Sequence, residues 1–369
     1  WNMETDAFSF DSIPQEENVT FTKRGITSTI ASIFDPIGLL APVITTAKII
    51  LSTIFSRKSD WDDKLNDSEE KTFKKWLRGL THVKGLKIPR CAIPKDFGRV
   101  VRNELHVLCD GAESAYGSVA YRRIINENFN VHCQFLMAKS RVCPKKGKLT
   151  IPKIELAGAC LATRLAAIVK KESESNFDSV TYWTDSMSNL RYIQNKTSRF
   201  KVFVANKLDE IHTRSDVSSW RFVPGKENVS DDLTRPFTPN ENFSMDHRFF
   251  RGPQFLYETD ESKWPRQPNI DTRCDEEVIT HAISDSTNSS MKLSEYWFVK
   301  IGSWRKLIIH VAVFLRLQKV VRGQPSDRGT ITVEEMKRAE VEIIRIIQVE
   351  NYEDEIRSLR SGIDLPKSN

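Results

Sequence analysis

At 369 residues the chain is too long for one average domain and predicts two or three. Its 39% hydrophobic and 28% charged residues exclude a disordered chain, and no apolar run approaches the ~20 residues of a membrane-spanning helix. A net charge of +6 permits nucleic-acid binding without requiring it, and six cysteines with no C-x-x-C pair and no His at zinc spacing read as core thiols of a reduced intracellular protein.

The start, Trp1-Asn2-Met3-Glu4, offers neither an initiator Met nor a signal peptide and reads as cut from a longer chain. Residues 1–22 predict a strand end and a loop. The apolar stretch from Thr22 to Phe55 divides at Pro36-Ile37-Gly38 and Pro42 into two short helices. Asp67 with Glu70 predicts a capping box, opening an amphipathic helix on Phe73, Trp76, Leu77 and Leu80.

From Glu104 the period becomes strand-like, and ELHVLCD, GSVAYRRI and NVHCQFLMAKS predict three consecutive strands. A basic loop with Lys139, Arg141, Lys145, Lys146, Lys148 and Lys153 follows. A helix then starts near Pro152, with Leu156, Cys160, Leu161, Leu165 and Ile168 as its apolar stripe. SVTYWTD predicts a fourth strand, SMSNLRYIQN and FKVFVANKLDEIHTR helices, SWRFVP a fifth strand, and VSDDLTR a short last helix. The order is βββαβαβα, an α/β fold on a mixed five-stranded sheet. Residues 238–290, rich in Asn, Asp, Ser and Thr, predict a linker. Two helices follow, one over Trp304–Val321 and one from a capping pair of Thr332 and Glu335.

Four carboxylates occupy meaningful places in this order. Asp110 ends the first strand, Glu155 lies in the first turn of the first helix, Asp185 ends the fourth strand, and Asp231 opens the last helix. If the first and fourth strands are neighbours, Asp110 and Asp185 end side by side, and a helix crossing that edge can aim Glu155 at them. Clustered like charges need a cation. Hard carboxylate oxygens suit Mg²⁺ or Mn²⁺, and two such ions clamp the attacking and leaving oxygens of a phosphodiester. Each acid alone is equally explained as turn or helix-dipole chemistry; the set of four in one order is what points to metal chemistry.

Around these acids, LHVLCDGAESAYGSVAY, AKSRVCP, TIPKIELAGACLATRLA, YWTDSMSNLRYI and WRFVPGKENVSDDLTR resemble the ribonuclease H segment of Bel/Pao-type retrotransposon Pol polyproteins, a region also catalogued under a Pao peptidase family name. TKRGITSTIASIFDPIGLLAPVITTAKIIL and DWDD resemble the connection from reverse transcriptase, and IIRIIQVENYEDEIRSLRSGIDLPKSN resembles the stretch before an integrase zinc domain. The resemblance implies a ribonuclease H-like sheet flanked by helical segments. It divides the chain into the end of the polymerase palm (1–22), a helical connection (23–98), the ribonuclease H-like domain (99–237), a linker (238–290) and a helical segment (291–369).

It further implies that Asp110, Glu155, Asp185 and Asp231 are the catalytic residues and ligands of two Mg²⁺ or Mn²⁺ ions, with Asp231 preferred to Asp232. The implied substrate is the RNA strand of an RNA–DNA hybrid. The implied partners are the reverse transcriptase and integrase parts of Pol, with no membrane, and the implied location is intracellular, in cytoplasmic particles with the nucleus as a further compartment. From the residues themselves, Lys139, Arg141, Lys145, Lys146 and Lys148 read either as phosphate contacts or equally as a solvated basic loop, and Ser186 and Asn189 are placed to line the site. Asp110-Gly111-Ala112 departs from the family's Asp-Ala-Ser, and no His lies between Trp220 and Asp231. Tyr116, Trp183 and Trp220 fit a core role better than base stacking, and His106 and His132 receive no role. The alternative is a catalytically inactive nucleic-acid-binding or structural remnant. An aspartic peptidase is disfavoured, because neither Asp110-Gly111-Ala112 nor Asp185-Ser186-Met187 forms the required Asp-Thr/Ser-Gly loop.

Overall fold

The computed structural model describes residues 2–10, 13–91, 93–145, 149–173, 176–195, 200–237, 239–240, 243–270, 297, 301, 303–322 and 329–360. The chain divides into two compact units, Trp1–Ile279 and Thr280–Asn369.

The first unit is built on strands β3 (Val100–Gly111), β4 (Ala115–Asn126), β5 (Val131–Val142), β6 (Ser179–Thr184) and β7 (Trp220–Phe222), in the order β5-β4-β3-β6-β7. The pairs β3–β4 and β4–β5 are antiparallel, whereas β3–β6 and β6–β7 are parallel. The first and fourth predicted strands are therefore neighbours. Strand β3 is central and buried on both faces, and its residues alternate between two cores. Leu105, Val107 and Cys109 join Leu156, Cys160 and Leu165 of helix α4 (Ile151–Glu172), whereas Leu108 joins the core of Trp183 and Phe249. Helices α5 (Met187–Gln194) and α6 (Val202–Arg214) complete the α4 side through Leu190, Ile193, Val204 and Ile211.

Ahead of the sheet, α1 (Lys23–Ala31), α2 (Ala41–Phe55) and α3 (Asp67–Gly79) form as expected, and β1 (Ala7–Phe8) pairs with β2 (Ile88–Pro89). Pro42 does not break a helix but sits in the first turn of α2, where its missing N–H costs nothing. The α3 capping box lies one residue earlier than predicted, on Asn66 and Glu69. Between α1 and α2, the Asp35 carboxylate accepts the N–H groups of Gly38, Leu39 and Leu40 at 2.8–3.0 Å. Gly38 has φ +82°, and a Cβ there would lie 2.1 Å from the Ala138 carbonyl. This turn docks on β5, where the Ala138 N–H donates to Ile37 O, and so covers part of an open sheet edge. Ile26, Val43, Phe73 and Trp76 share one core with Leu108 and Trp183, so the helical connection has no separate core.

The predicted linker differs most from the structure. Its described part from Phe243 to Trp264 folds over the sheet face opposite α4, burying Phe243, Phe249, Phe250, Phe255, Leu256 and Trp264. Tyr121 Oη donates to Phe249 O at 2.6 Å, and the Arg123 guanidinium donates to Leu256 O and Glu258 O. The polar composition of the stretch conceals these widely spaced aromatic anchors. The remainder of the predicted linker, from 271 to 290, lies outside the described residues.

In the second unit, helices Trp304–Val321 and Val333–Asn351 pack through Leu307, Ile308, Val311 and Ala312 against Ala339 and Ile343. Thr332 and Glu335 form the expected capping box, and Arg316 pairs with Glu335 at 2.6 Å. A third helix spans Glu353–Arg360. No helix among the described residues is long and apolar enough to cross a membrane.

Candidate metal centre

Parallel pairing sets Cys109 opposite Thr184, so the next residues, Asp110 and Asp185, leave the centre of the sheet together. Helix α4 crosses this edge at very close range. A Cβ on Gly158 would stand 2.5 Å from Asp110 O, and one on Gly111 would stand 2.6 Å from the Glu155 backbone nitrogen. Glycine at both positions is what lets the helix lie on the strand end, and this accounts for Gly111 beside Asp110. Glu155 is not in the first helical turn as predicted. Helix α4 begins at Ile151, which places Glu155 one residue into the second turn.

Asp231 arrives on a single 3₁₀ turn, Val229–Leu233, in place of the predicted last helix. The fully buried Asn228 pins this turn to β3. Its Nδ2 donates to Cys109 O at 3.1 Å, and its Oδ1 accepts from the Ser230 N–H and hydroxyl.

The result brings one carboxylate oxygen each from Asp110, Asp185 and Asp231 within 4.8 Å of one another. Thr234 Oγ1 donates to Asp110 Oδ2, and Arg235 approaches Asp231 Oδ2 at 3.3 Å. Asp231 Oδ1 is buried without any hydrogen-bond donor. Glu155 is not in the three-aspartate group; its Oε2 accepts from the Ser186 hydroxyl at 2.6 Å. Asp232 faces elsewhere, gripped through both oxygens by Arg248 of helix α7 (Arg248–Arg251). Of the two adjacent aspartates, Asp231 is the one in the three-aspartate group.

The electrostatics match a set of acids short of positive charge. Burial, then the charges of Asp110 and Asp185, pushes the Asp231 carboxyl up to about 7 against the opposing pull of Arg235. Burial and then Asp110 raise Asp185, while a hydrogen bond from Asn228 works the other way. Glu155 is raised by burial and, more weakly, by Asp185 and Asp110, with the Ser186 hydroxyl opposing. Only a cation lets several such groups ionise together. The donors are all hard oxygens, and one is without a partner, which fits Mg²⁺ or Mn²⁺ better than a softer metal.

Of the expected lining residues, Ser186 holds Glu155, but Asn189 does not meet the expectation. It is fully buried and neither its Nδ2 nor its Oδ1 has a hydrogen-bond partner. Lys139, Arg141 and Lys145 are exposed. Register puts Arg141 opposite Tyr116, which faces Gly111, so this arginine stands two strands from the acid edge, about 10 Å across. Lys146 and Lys148 lie outside the described residues. Trp183 and Trp220 are core residues, Tyr182 stacking on Trp220 at 4.8 Å. His106, given no role from sequence, is buried in an ion network with Glu104. Asn228, Thr234 and Arg235 were missed. Asn228 alone carries a signal in the sequence: its capping preference and its place three residues before Asp231, the spacing on which the family resemblance chooses Asp231.

Residues 22–186 match the family model for the Pao retrotransposon-like RNaseH-like domain. The match includes Asp110, Glu155 and Asp185 and stops short of Asp231. No curated protein matches the chain. Among solved structures, ribonuclease H1 from the halophilic archaeon Halobacterium salinarum NRC-1 is 15% identical with a TM-score of 0.25, covering 35% of this chain and 93% of its own. LC11 ribonuclease H1 in complex with an RNA/DNA hybrid is 18% identical with a TM-score of 0.25, over 35% of this chain and 92% of its own. The foamy viral protease-reverse transcriptase dRH in complex with double-stranded DNA is 14% identical with a TM-score of 0.31, over 55% of this chain and 34% of its own.

Proposed function

We propose that the chain is a retrotransposon ribonuclease H that hydrolyses the RNA strand of RNA–DNA hybrids, a reading supported by the match of residues 22–186 to the Pao retrotransposon-like RNaseH-like domain. The observation that carries the reading is the convergence of Asp110, Asp185 and Asp231 within 4.8 Å, with Asp231 Oδ1 lacking any donor. Asp110, Asp185 and Asp231 would hold Mg²⁺ or Mn²⁺, with Glu155 joining them from α4. Two bound ions supply Lewis-acid activation of a water and stabilisation of the leaving oxygen.

The chain's own residues do the rest. Thr234 and Ser186 orient Asp110 and Glu155 through single hydroxyl hydrogen bonds. The Asn228 amide fixes the turn that carries Asp231. Lys139, Arg141 and Lys145 give the duplex backbone a sequence-independent hold at the neighbouring strands. In a Pol polyprotein, residues 1–22 would close the polymerase palm, 23–98 connect it to the nuclease, and 291–369 lead to an integrase zinc domain.

The test is a labelled RNA–DNA hybrid incubated with the chain in Mg²⁺ or EDTA, beside a casein control. Metal-dependent loss of the RNA strand alone is expected, and Asp110→Asn should reduce the rate by about a thousandfold, the scale of losing a group that acts on transition-state charge. Hybrid binding without cleavage would make the chain an inert remnant, and casein cleavage would overturn the nuclease reading.

A further inference from the structure

We propose that Thr234 and Arg235 form a two-part clamp on the acid cluster: Thr234 is a fixed positioning residue for Asp110, and Arg235 is an exchangeable cation that leaves Asp231 for a substrate phosphate. The inference rests on the nuclease reading above and assigns work to two residues that reading does not require.

Both residues leave the turn that carries Asp231. The backbone N–H groups of Thr234 and Arg235 fold back on Asp231 O at 3.1 and 3.3 Å, so their side chains start from the same platform. Their surroundings then diverge. Thr234 is 1% exposed, and its hydroxyl donates to Asp110 Oδ2 on a strand 124 residues away. The hydroxyl's other acceptor within reach is the neutral Asp231 carbonyl, at the longer distance of 3.1 Å, so the charged Asp110 oxygen is the stronger acceptor and the contact sets the carboxylate plane. Removing groups that orient a ligand in this way typically costs about 10–100-fold in metal affinity.

Arg235 has the opposite character. Its side chain is 71% exposed and meets Asp231 through one N···O contact of 3.3 Å. Exposed single-contact pairs contribute little, so this contact is easily given up. The same turn shows what a committed arginine looks like, since Arg248 engages Asp232 with two nitrogens on two oxygens. Among the described residues, Arg235 makes the one ion pair to the four acids. A divalent ion is the stronger partner for a hard carboxylate. A guanidinium released one turn away keeps a planar pair of donors suited to a phosphate.

Two titrations on the full chain test the proposal: Mn²⁺ binding followed by its paramagnetic resonance signal, and the Kd for an uncleavable hybrid with 2′-O-methylated RNA at several salt concentrations. Thr234→Val should weaken Mn²⁺ binding about tenfold, with Thr234→Ser restoring it, and should leave hybrid affinity at saturating metal unchanged. Arg235→Ala should bind Mn²⁺ at least as tightly as the wild type. It should raise the hybrid Kd severalfold and flatten the slope of log Kd against log salt by about 1, with Arg235→Lys keeping the slope. Wild-type Mn²⁺ affinity in Thr234→Val, or weaker Mn²⁺ binding with an unchanged salt slope in Arg235→Ala, overturns the clamp while leaving the nuclease reading in place. A wild-type chain that binds no Mn²⁺ overturns both.

Discussion

Strand β3 carries ionisable clusters at both of its ends, and the two are built on opposite terms. Near its start, the buried Glu104 is met by Arg123, Arg102 and His106. Trp183 Nε1 donates to His106 Nδ1 at 3.1 Å, which leaves the His106 proton on Nε2 facing Glu104. Burial alone would raise Glu104, but the hydrogen bonds and charges of His106 and Arg123 outweigh it and hold the carboxyl at about 2. Near its end, Asp110 has aspartates for neighbours and a threonine for a donor, and Asp231 is driven up to about 7. One cluster is neutralised within the protein, whereas the other has a single, exposed arginine, Arg235, against its acids and one acceptor left without a donor. Buried charge is thus not itself a sign of function; the second arrangement is the one that supports the metal reading.

The largest expected effect comes from breaking the neutralised cluster. Arg123→Met takes the buried guanidinium from Glu104, which keeps Arg102 and His106, and leaves the Leu256 and Glu258 carbonyls without its donors; it should lower unfolding free energy by about 3 kcal/mol in urea denaturation. A loss below about 1 kcal/mol would mean that the network contributes little. Next is a pH effect from the second cluster. The folded Asp231 keeps its proton up to about 7, whereas an unfolded aspartate releases it near 4. The folded state therefore binds more protons across that window, and its stability falls as pH rises through it. Metal-free chain should lose stability between these limits, by about 1–2 kcal/mol after solvent screening of this half-buried group, and urea midpoints at both ends of the window check this. Saturating Mg²⁺ should remove the loss. Smallest is a gain. Asn189→Leu keeps the branched outline and removes two buried polar atoms that lack partners, which should stabilise the fold by about 1–2 kcal/mol. An unchanged or lower melting temperature would count against the stranded-amide account.

Much of this contrast could be read from the sequence, for reasons visible in particular residues. Asp110 and Asp185 were accessible because each follows a clear strand, and parallel neighbours with matching ends leave little choice of geometry. The five-strand order was accessible for the same reason, since each strand carries its own period. What could not be read depended on partners far along the chain. Asn228 and Thr234 work through Cys109 and Asp110, more than a hundred residues earlier. The cover over the second sheet face was hidden because Phe243, Phe249, Phe255 and Trp264 follow no helical or strand period. Local pattern places elements, whereas pairing across the sheet decides which acids remain without partners.

Thermal unfolding of the wild type and Asp110→Asn, each with and without Mg²⁺, tests the central claim most directly. If the acids at the end of β3 are a cluster awaiting cations, removing one charge should raise the metal-free melting temperature by a few degrees. Mg²⁺ should then stabilise the wild type and leave Asp110→Asn unchanged. A metal-free Asp110→Asn that melts below the wild type, together with a wild type indifferent to Mg²⁺, would contradict the account.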